Sequence, residues 1–90
     1  MKLIPDEERF ARYKSVVSVL LDKMSFNKPD TYKVLKEEKK SFIGKVISEL
    51  VRDGYLTNYG SKAKPQYKWS EKKEEFNPGR WIDQRVFTPT

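Results

Sequence analysis

The 90-residue chain contains no cysteine and no histidine. Without thiols there can be no disulfide, thiolate nucleophile or thiolate-held zinc, and without imidazole no histidine acid–base relay. The lack of cysteine also fits a reducing compartment. No apolar run approaches the ~18 residues that a membrane span needs, and Met1-Lys2-Leu3-Ile4-Pro5 lacks the apolar stretch of a secretory leader. An intracellular location, cytoplasm or nucleus, with no membrane partner, is the expectation. The four glycines form no glycine-rich phosphate loop. The carboxylate pairs Glu37-Glu38 and Glu74-Glu75 are adjacent and surrounded by lysines, unlike an acid–base pair held at a defined separation. Neither catalysis, nor a metal, nor a cofactor is expected.

What the chain does have is positive charge. Nineteen Lys and Arg against thirteen Asp and Glu leave a net +6. The excess is concentrated. Residues 39–69 hold Lys39, Lys40, Lys45, Arg52, Lys62, Lys64 and Lys68 against Glu49 and Asp53, whereas residues 1–38 carry eight basic and seven acidic side chains. A small basic domain suits a polyanion, nucleic acid before an anionic lipid surface. Hydrophobic residues at 37% are enough for one modest core in one domain.

Apolar side chains at Phe10, Tyr13, Val17, Leu20 and Met24, widened by Val16 and Leu21, predict a helix over 6–24 with Asp6, Glu7 and Glu8 at its positive end. Pro29 suits the first turn of a second helix over about 30–37, with Tyr32 and Leu35 inward. Ser41 is a good N-cap for a third helix over 41–53, which favours two helices over a single long one across 30–53. In the third helix Phe42, Val46, Ile47, Leu50 and Val51 form the apolar face, flanked by Ile43, and Gly54 marks its left-handed end. Gly44 inside it costs about 0.8–1 kcal/mol relative to alanine, and either a neighbouring helix or a phosphate would explain it. Beyond Gly54 the period becomes two, so 55–59 and 66–69 predict a hairpin around the turn-rich Gly60-Ser61-Lys62-Ala63-Lys64-Pro65. Ser70 is a candidate cap for a short helical stretch over 71–76. Asn77-Pro78-Gly79 reads as a turn, and Thr88-Pro89-Thr90 as a frayed end.

The run Val46-Ile47-Ser48-Glu49-Leu50-Val51-Arg52-Asp53-Gly54-Tyr55-Leu56 resembles the end of a recognition helix and first wing strand of the winged helix-turn-helix superfamily. Gly60 through Trp69 is similar to its wing. The resemblance, over about residues 9–69, implies an α+β fold of three helices followed by a β-hairpin wing, as a domain over 1–70. Residues 71–90 then form a short C-terminal extension packed on the domain or on a partner. It further implies double-stranded DNA binding, with the third helix in the major groove and the wing on phosphate or the minor groove. Carried onto this chain, Lys39, Lys40, Lys62, Lys64 and Lys68 would contact phosphates, and Lys45, Ser48 and Arg52, beside Ser41 and Gly44, would face base edges. Glu49, near that face, would either accept from cytosine or repel the backbone. A narrower relative binds left-handed duplexes through an asparagine and a tyrosine on the third helix. This chain has Gly44 and Ser48 at those places and keeps only Pro65 and Tyr67 of the wing, so that activity is not expected.

Other readings remain. A protein-docking adaptor would use the apolar Trp81, Ile82, Val86 and Phe87, which alternatively pack back on the first helix. An RNA-binding module would use the same basic face, and Tyr55, Tyr59, Tyr67 and Trp69 either stack bases or cover the core. The stripe from Phe10 to Met24 is either the domain's own core or a homodimer seam.

Overall fold

A computed structural model describes residues 6–87, so the readings made for residues 1–5 and 88–90 lie outside the described residues. Helix α1 spans Asp6–Leu21, strand β1 Ser25–Phe26, helix α2 Lys28–Val34 and helix α3 Lys40–Arg52. Strands β2, Leu56–Asn58, and β3, Tyr67–Trp69, follow, then a 3-10 turn over Glu71–Glu75 and helix α4, Pro78–Val86. The result is an α+β domain with four α-helices and a three-stranded antiparallel sheet ordered β1-β3-β2. Among the described residues no helix is long and apolar enough to cross a membrane.

The period-3.6 stripe of α1 buries Tyr13, Val16, Val17 and Leu20, and that of α3 buries Ile43, Val46, Ile47 and Leu50. Ile43, expected at the flank, is central, while Phe42 and Val51 pack at the margin of the core. The α1 stripe therefore serves the chain's own core. The helix ends at Leu21 rather than at residue 24, and Met24 is 90% exposed. The reason is β1, which needs extended backbone: Phe26 pairs with Tyr67 and Ser25 with Lys68.

Two helices occupy 28–52, and their boundaries are set by caps. Asn27 caps α2, its Oδ1 accepting from the Asp30 amide at 2.8 Å, so the helix starts two residues before the expected Asp30 and Pro29 lies in its first turn. Tyr32 and Leu35 are half-buried as expected, while Thr31 is the residue that α2 buries fully. The expected Ser41 cap is not formed; Lys39 is the N-cap residue, without a side-chain cap. Here the turn is fixed by Glu38, whose Oε1 accepts from the Lys39 amide at 3.1 Å and whose carboxylate meets the Arg12 guanidinium of α1. Arg12 in turn lies over the Phe42 ring, 4.6 Å from its centroid.

The hydrogen bond from Arg12 holds the Glu38 carboxyl below the ordinary glutamate range. A depressed folded-state pKa means the pair stabilises the fold above the unfolded value of about 4.3 and is lost as pH falls through the folded value. Glu38→Gln should therefore lose about 1 kcal/mol in urea unfolding near pH 6.5, given the partial solvent access of Arg12. The difference from wild type should shrink steadily below about pH 4; an undiminished difference at pH 3 would refute this role.

At the other end of α3 the expected glycine stop is present. Gly54 has φ +87°, its amide bonds Val51 O at 3.0 Å, and the Tyr55 amide bonds Leu50 O at 3.0 Å. These are the two bonds of a Schellman ending. Ser70 then ties the hairpin back, its Oγ donating to Gly54 O at 2.6 Å and its amide to Tyr55 O at 2.8 Å, and it also caps the 3-10 turn.

Asn77-Pro78-Gly79 is a helix start rather than a free turn. Asn77 Oδ1 accepts from the Arg80 amide at 3.1 Å and Pro78 lies in the first turn of α4. This helix packs along α1, and its Trp81, Ile82 and Val86 belong to the same core as α1 and α3. Residues 71–87 are thus continuous with the core of residues 6–70.

Candidate nucleic-acid interface

The face of α3 opposite its buried stripe carries Ser41, Lys45, Ser48 and Arg52, at spacings of four, three and four, and all four are exposed. Lys39 and Lys40 stand exposed at the start of the same helix. Two lysines there oppose the helix dipole, an arrangement that a bound anion would relieve. Lys40 Nζ hangs 5.6 Å from the Tyr32 ring centroid, which brings a cation of α3 against α2. Arg52 reaches Asp53 only at 3.8 Å and keeps 69% of its side chain exposed.

The hairpin supplies the second group of cations. Leu56 pairs with Trp69, Thr57 with Lys68 and Asn58 with Tyr67. Alternation turns Leu56 and Tyr67 into the core and sends Thr57, Lys68 and Ser25 to the outer surface. The tip is built from side-chain–backbone bonds: Asn58 Oδ1 accepts from the amides of Gly60 at 2.9 Å and Gln66 at 3.2 Å, and Ser61 Oγ from Lys64 at 3.0 Å. The Tyr59 amide donates to Gln66 O at 2.8 Å. At Gly60 a Cβ would lie 2.5 Å from Lys64 O, so only glycine fits this turn. Lys62 and Lys64 project from it, both exposed, and Lys68 Nζ sits 5.5 Å from the ring centroid of the half-exposed Tyr59.

All nine residues expected to contact nucleic acid are therefore at the surface, on α3, its leading turn and the hairpin. Lys28 and Tyr32 of α2 were not among the residues expected at this face. Both reach Gly44 of α3, Lys28 Nζ and the Tyr32 hydroxyl each lying 4.0 Å from where a Gly44 Cβ would be. Only the packing of α2 on α3 places them there, and no local pattern encodes it. Lys72 was missed too: it lies over the Tyr55 ring at 5.8 Å and beside Gly54.

The two carboxylates of residues 39–69 are turned elsewhere. Glu49 accepts from the Tyr13 hydroxyl at 3.3 Å and pairs with Arg85 Nη1 at 3.3 Å. Asp53 accepts from Trp81 Nε1 at 2.8 Å and pairs with Arg85 Nη2. Both face α1 and α4, so the Glu49 carboxylate is turned away from the outer face of α3. Burial, and next the Glu49 charge, push the Tyr13 hydroxyl pKa above its ordinary value, so Tyr13 remains a neutral donor at physiological pH.

The apolar docking surface expected at Trp81, Ile82, Val86 and Phe87 is largely the chain's own interior. Trp81, Ile82 and Val86 are buried against α1 and α3, and Phe87 stacks on Phe10 at 6.1 Å while staying 46% exposed. Of the four aromatic residues read as either base-stacking or core-covering, Tyr67 is buried, Trp69 donates from Nε1 to Leu20 O at 2.9 Å and packs on Phe76, and Tyr55 also packs on Phe76. Tyr59 remains outside. Comparison with protein-family models, with curated proteins and with solved structures finds no match to this chain.

Proposed function

We propose that this chain is a winged helix-turn-helix protein that binds double-stranded DNA, with α3 in the major groove and the β2–β3 hairpin as its wing. The fold reading is supported by the order α1-β1-α2-α3-β2-β3 and by the sheet order β1-β3-β2, in which the short strand between α1 and α2 edges the hairpin. The functional reading rests chiefly on one observation. The exposed α3 stripe and the hairpin carry cations and hydroxyls, while Glu49 and Asp53 are held by Arg85 and the nearest carboxylate approach to the stripe is Asp53 to Arg52 at 3.8 Å.

In this reading Lys39, Lys40, Lys62, Lys64 and Lys68 neutralise phosphates and supply affinity, while Lys45, Ser48 and Arg52 meet base edges. Arginine and lysine donate to guanine O6 and N7, and serine donates or accepts. A B-form major groove admits a helix, whereas the deep, narrow major groove of duplex RNA does not, which favours DNA over RNA. Binding, not catalysis, is the activity proposed, in an intracellular setting.

The test is binding of the purified protein to a random-sequence duplex across about 50–200 mM salt, where five neutralised phosphates correspond to a slope near −4.5 in log K against log salt. Lys62→Gln with Lys64→Gln should shallow the slope by about 1.8 and weaken all sequences alike. Absence of binding at the low-salt end would refute the proposal.

A further inference from the structure

Gly44 sits in the middle of α3, where glycine is the poorest helix former short of proline. Three reasons would ordinarily account for it. A left-handed backbone is not one, because Gly54 is the only glycine with positive φ among the described residues. A close helix–helix approach is not one either: an added Cβ would meet nothing nearer than 4.0 Å, and what it meets there are two side-chain tips. The contact is ordinary van der Waals distance, so alanine fits the folded chain without movement. The third reason is close approach of something outside the chain to the helix backbone.

The neighbours indicate what that is. The two tips at 4.0 Å are Lys28 Nζ and the Tyr32 hydroxyl, a cation and a hydrogen-bond donor, both from α2. Lys40 Nζ lies 5.6 Å from the Tyr32 ring centroid on the adjoining turn. Lys45, next to Gly44, is exposed on the outer stripe. No carboxylate is among the groups that meet this point, and the described residues give Lys28 and Lys40 no ion-pair partner within 4.0 Å.

We infer that Gly44, Lys28, Tyr32 and Lys40 form a seat for one DNA phosphate at the α2–α3 junction. The missing side chain lets the sugar–phosphate backbone come within contact of α3, while the two ammonium groups and the phenol hydroxyl bind the phosphate oxygens. The inference rests on the DNA-binding reading above and adds α2 to it. The seat fixes register on the duplex and carries no base preference.

The decisive variant is Gly44→Ala, for which folding and binding should move in opposite directions. Removing an interior helical glycine should raise Tm by roughly 4–8 °C. The same methyl group should weaken duplex binding at least fivefold at about 100 mM salt, since a phosphate contact is worth on the order of tenfold there. Lys28→Gln and Lys40→Gln should each shallow the salt slope by about 0.9, and Tyr32→Phe should weaken binding without changing the slope. Lys14→Gln, on the exposed side of α1, serves as the control for net charge. If wild type binds duplex and Gly44→Ala binds as well or better, or if Lys28→Gln behaves as Lys14→Gln, the seat is refuted while the DNA reading stands. If wild type does not bind duplex at all, both fall together.

Discussion

A protein carrying Lys45→Glu, Arg52→Glu and Lys62→Glu is expected to lose about a thousandfold or more in duplex affinity near 0.1 M salt, with its fold intact. Losing the Lys62 phosphate contact costs about a factor of ten at that salt, losing the base-edge contacts of Lys45 and Arg52 costs about 1–3 kcal/mol each, and each reversed charge adds repulsion to the lost contact. All three side chains are exposed, and surface changes of this kind usually alter stability by no more than about 0.5 kcal/mol. A circular dichroism melt should therefore remain cooperative, with Tm shifted by no more than about 12 °C, while the binding isotherm disappears. Retention of duplex binding within tenfold of wild type would show that α3 and the hairpin do not face the ligand. Arg52 has a separate signature. Placed against a base edge, its replacement by alanine should change which sequence is preferred rather than weaken all equally.

Trp81→Ala should have the largest effect on folding, about 3–5 kcal/mol, the range for removing a buried large aromatic. A domain of this length has about 5–13 kcal/mol in total, so the variant should lose a large share of its stability. Several contacts converge on this side chain. Its ring is 6% exposed and lies edge-on to Tyr13 at 6.1 Å and Phe76 at 5.9 Å, with the Arg85 guanidinium 4.2 Å from its centroid. Its Nε1 satisfies Asp53. Trp81→Phe keeps most of the apolar burial and loses that hydrogen bond, so it should cost less, about 1–3 kcal/mol. Urea unfolding checks both. A Trp81→Ala protein as stable as wild type would mean that α4 contributes nothing to the core. Removal of residues 77–90 should resemble Trp81→Ala rather than yield a folded shorter domain.

The elements legible in the sequence are those whose signal is local and redundant. The buried stripe of α3 and its Gly54 ending combine period, turn glycine and a change of period within fifteen residues, and the structure keeps all three. The outward stripe Ser41, Lys45, Ser48 and Arg52 follows from the same period, which is why that half of the site could be read directly. Strand β1 could not. Two residues hold no alternation, and Ser25–Phe26 is a strand only because β3, about forty residues further on, supplies its partner. Asn77-Pro78 misled for a physical reason: asparagine and proline favour both turns and helix starts, and what decides is whether the following residues have a core to enter. Ser41 lost the cap because Glu38 is drawn to Arg12 on another helix. The orientation of Glu49 was equally hidden, since it depends on Arg85, thirty-six residues away. Lys28 and Tyr32 come beside Gly44 through helix packing, which no spacing within α2 records.

The clasp of Glu49 and Asp53 by Arg85 also bears on how fast a partner is found. It draws Glu49 and Asp53 toward α4, beside a cation that cancels part of their charge, and leaves Lys45 and Arg52 as the charged groups of the exposed stripe. The helix therefore carries a moment across its axis as well as along it. On the proposed function, the field of a duplex would exert a torque on such a moment, turning the domain so that the α3 stripe leads before contact and raising the share of productive encounters. On that reading α4, which carries none of the residues proposed to contact DNA, would still act on the association rate through the clasp.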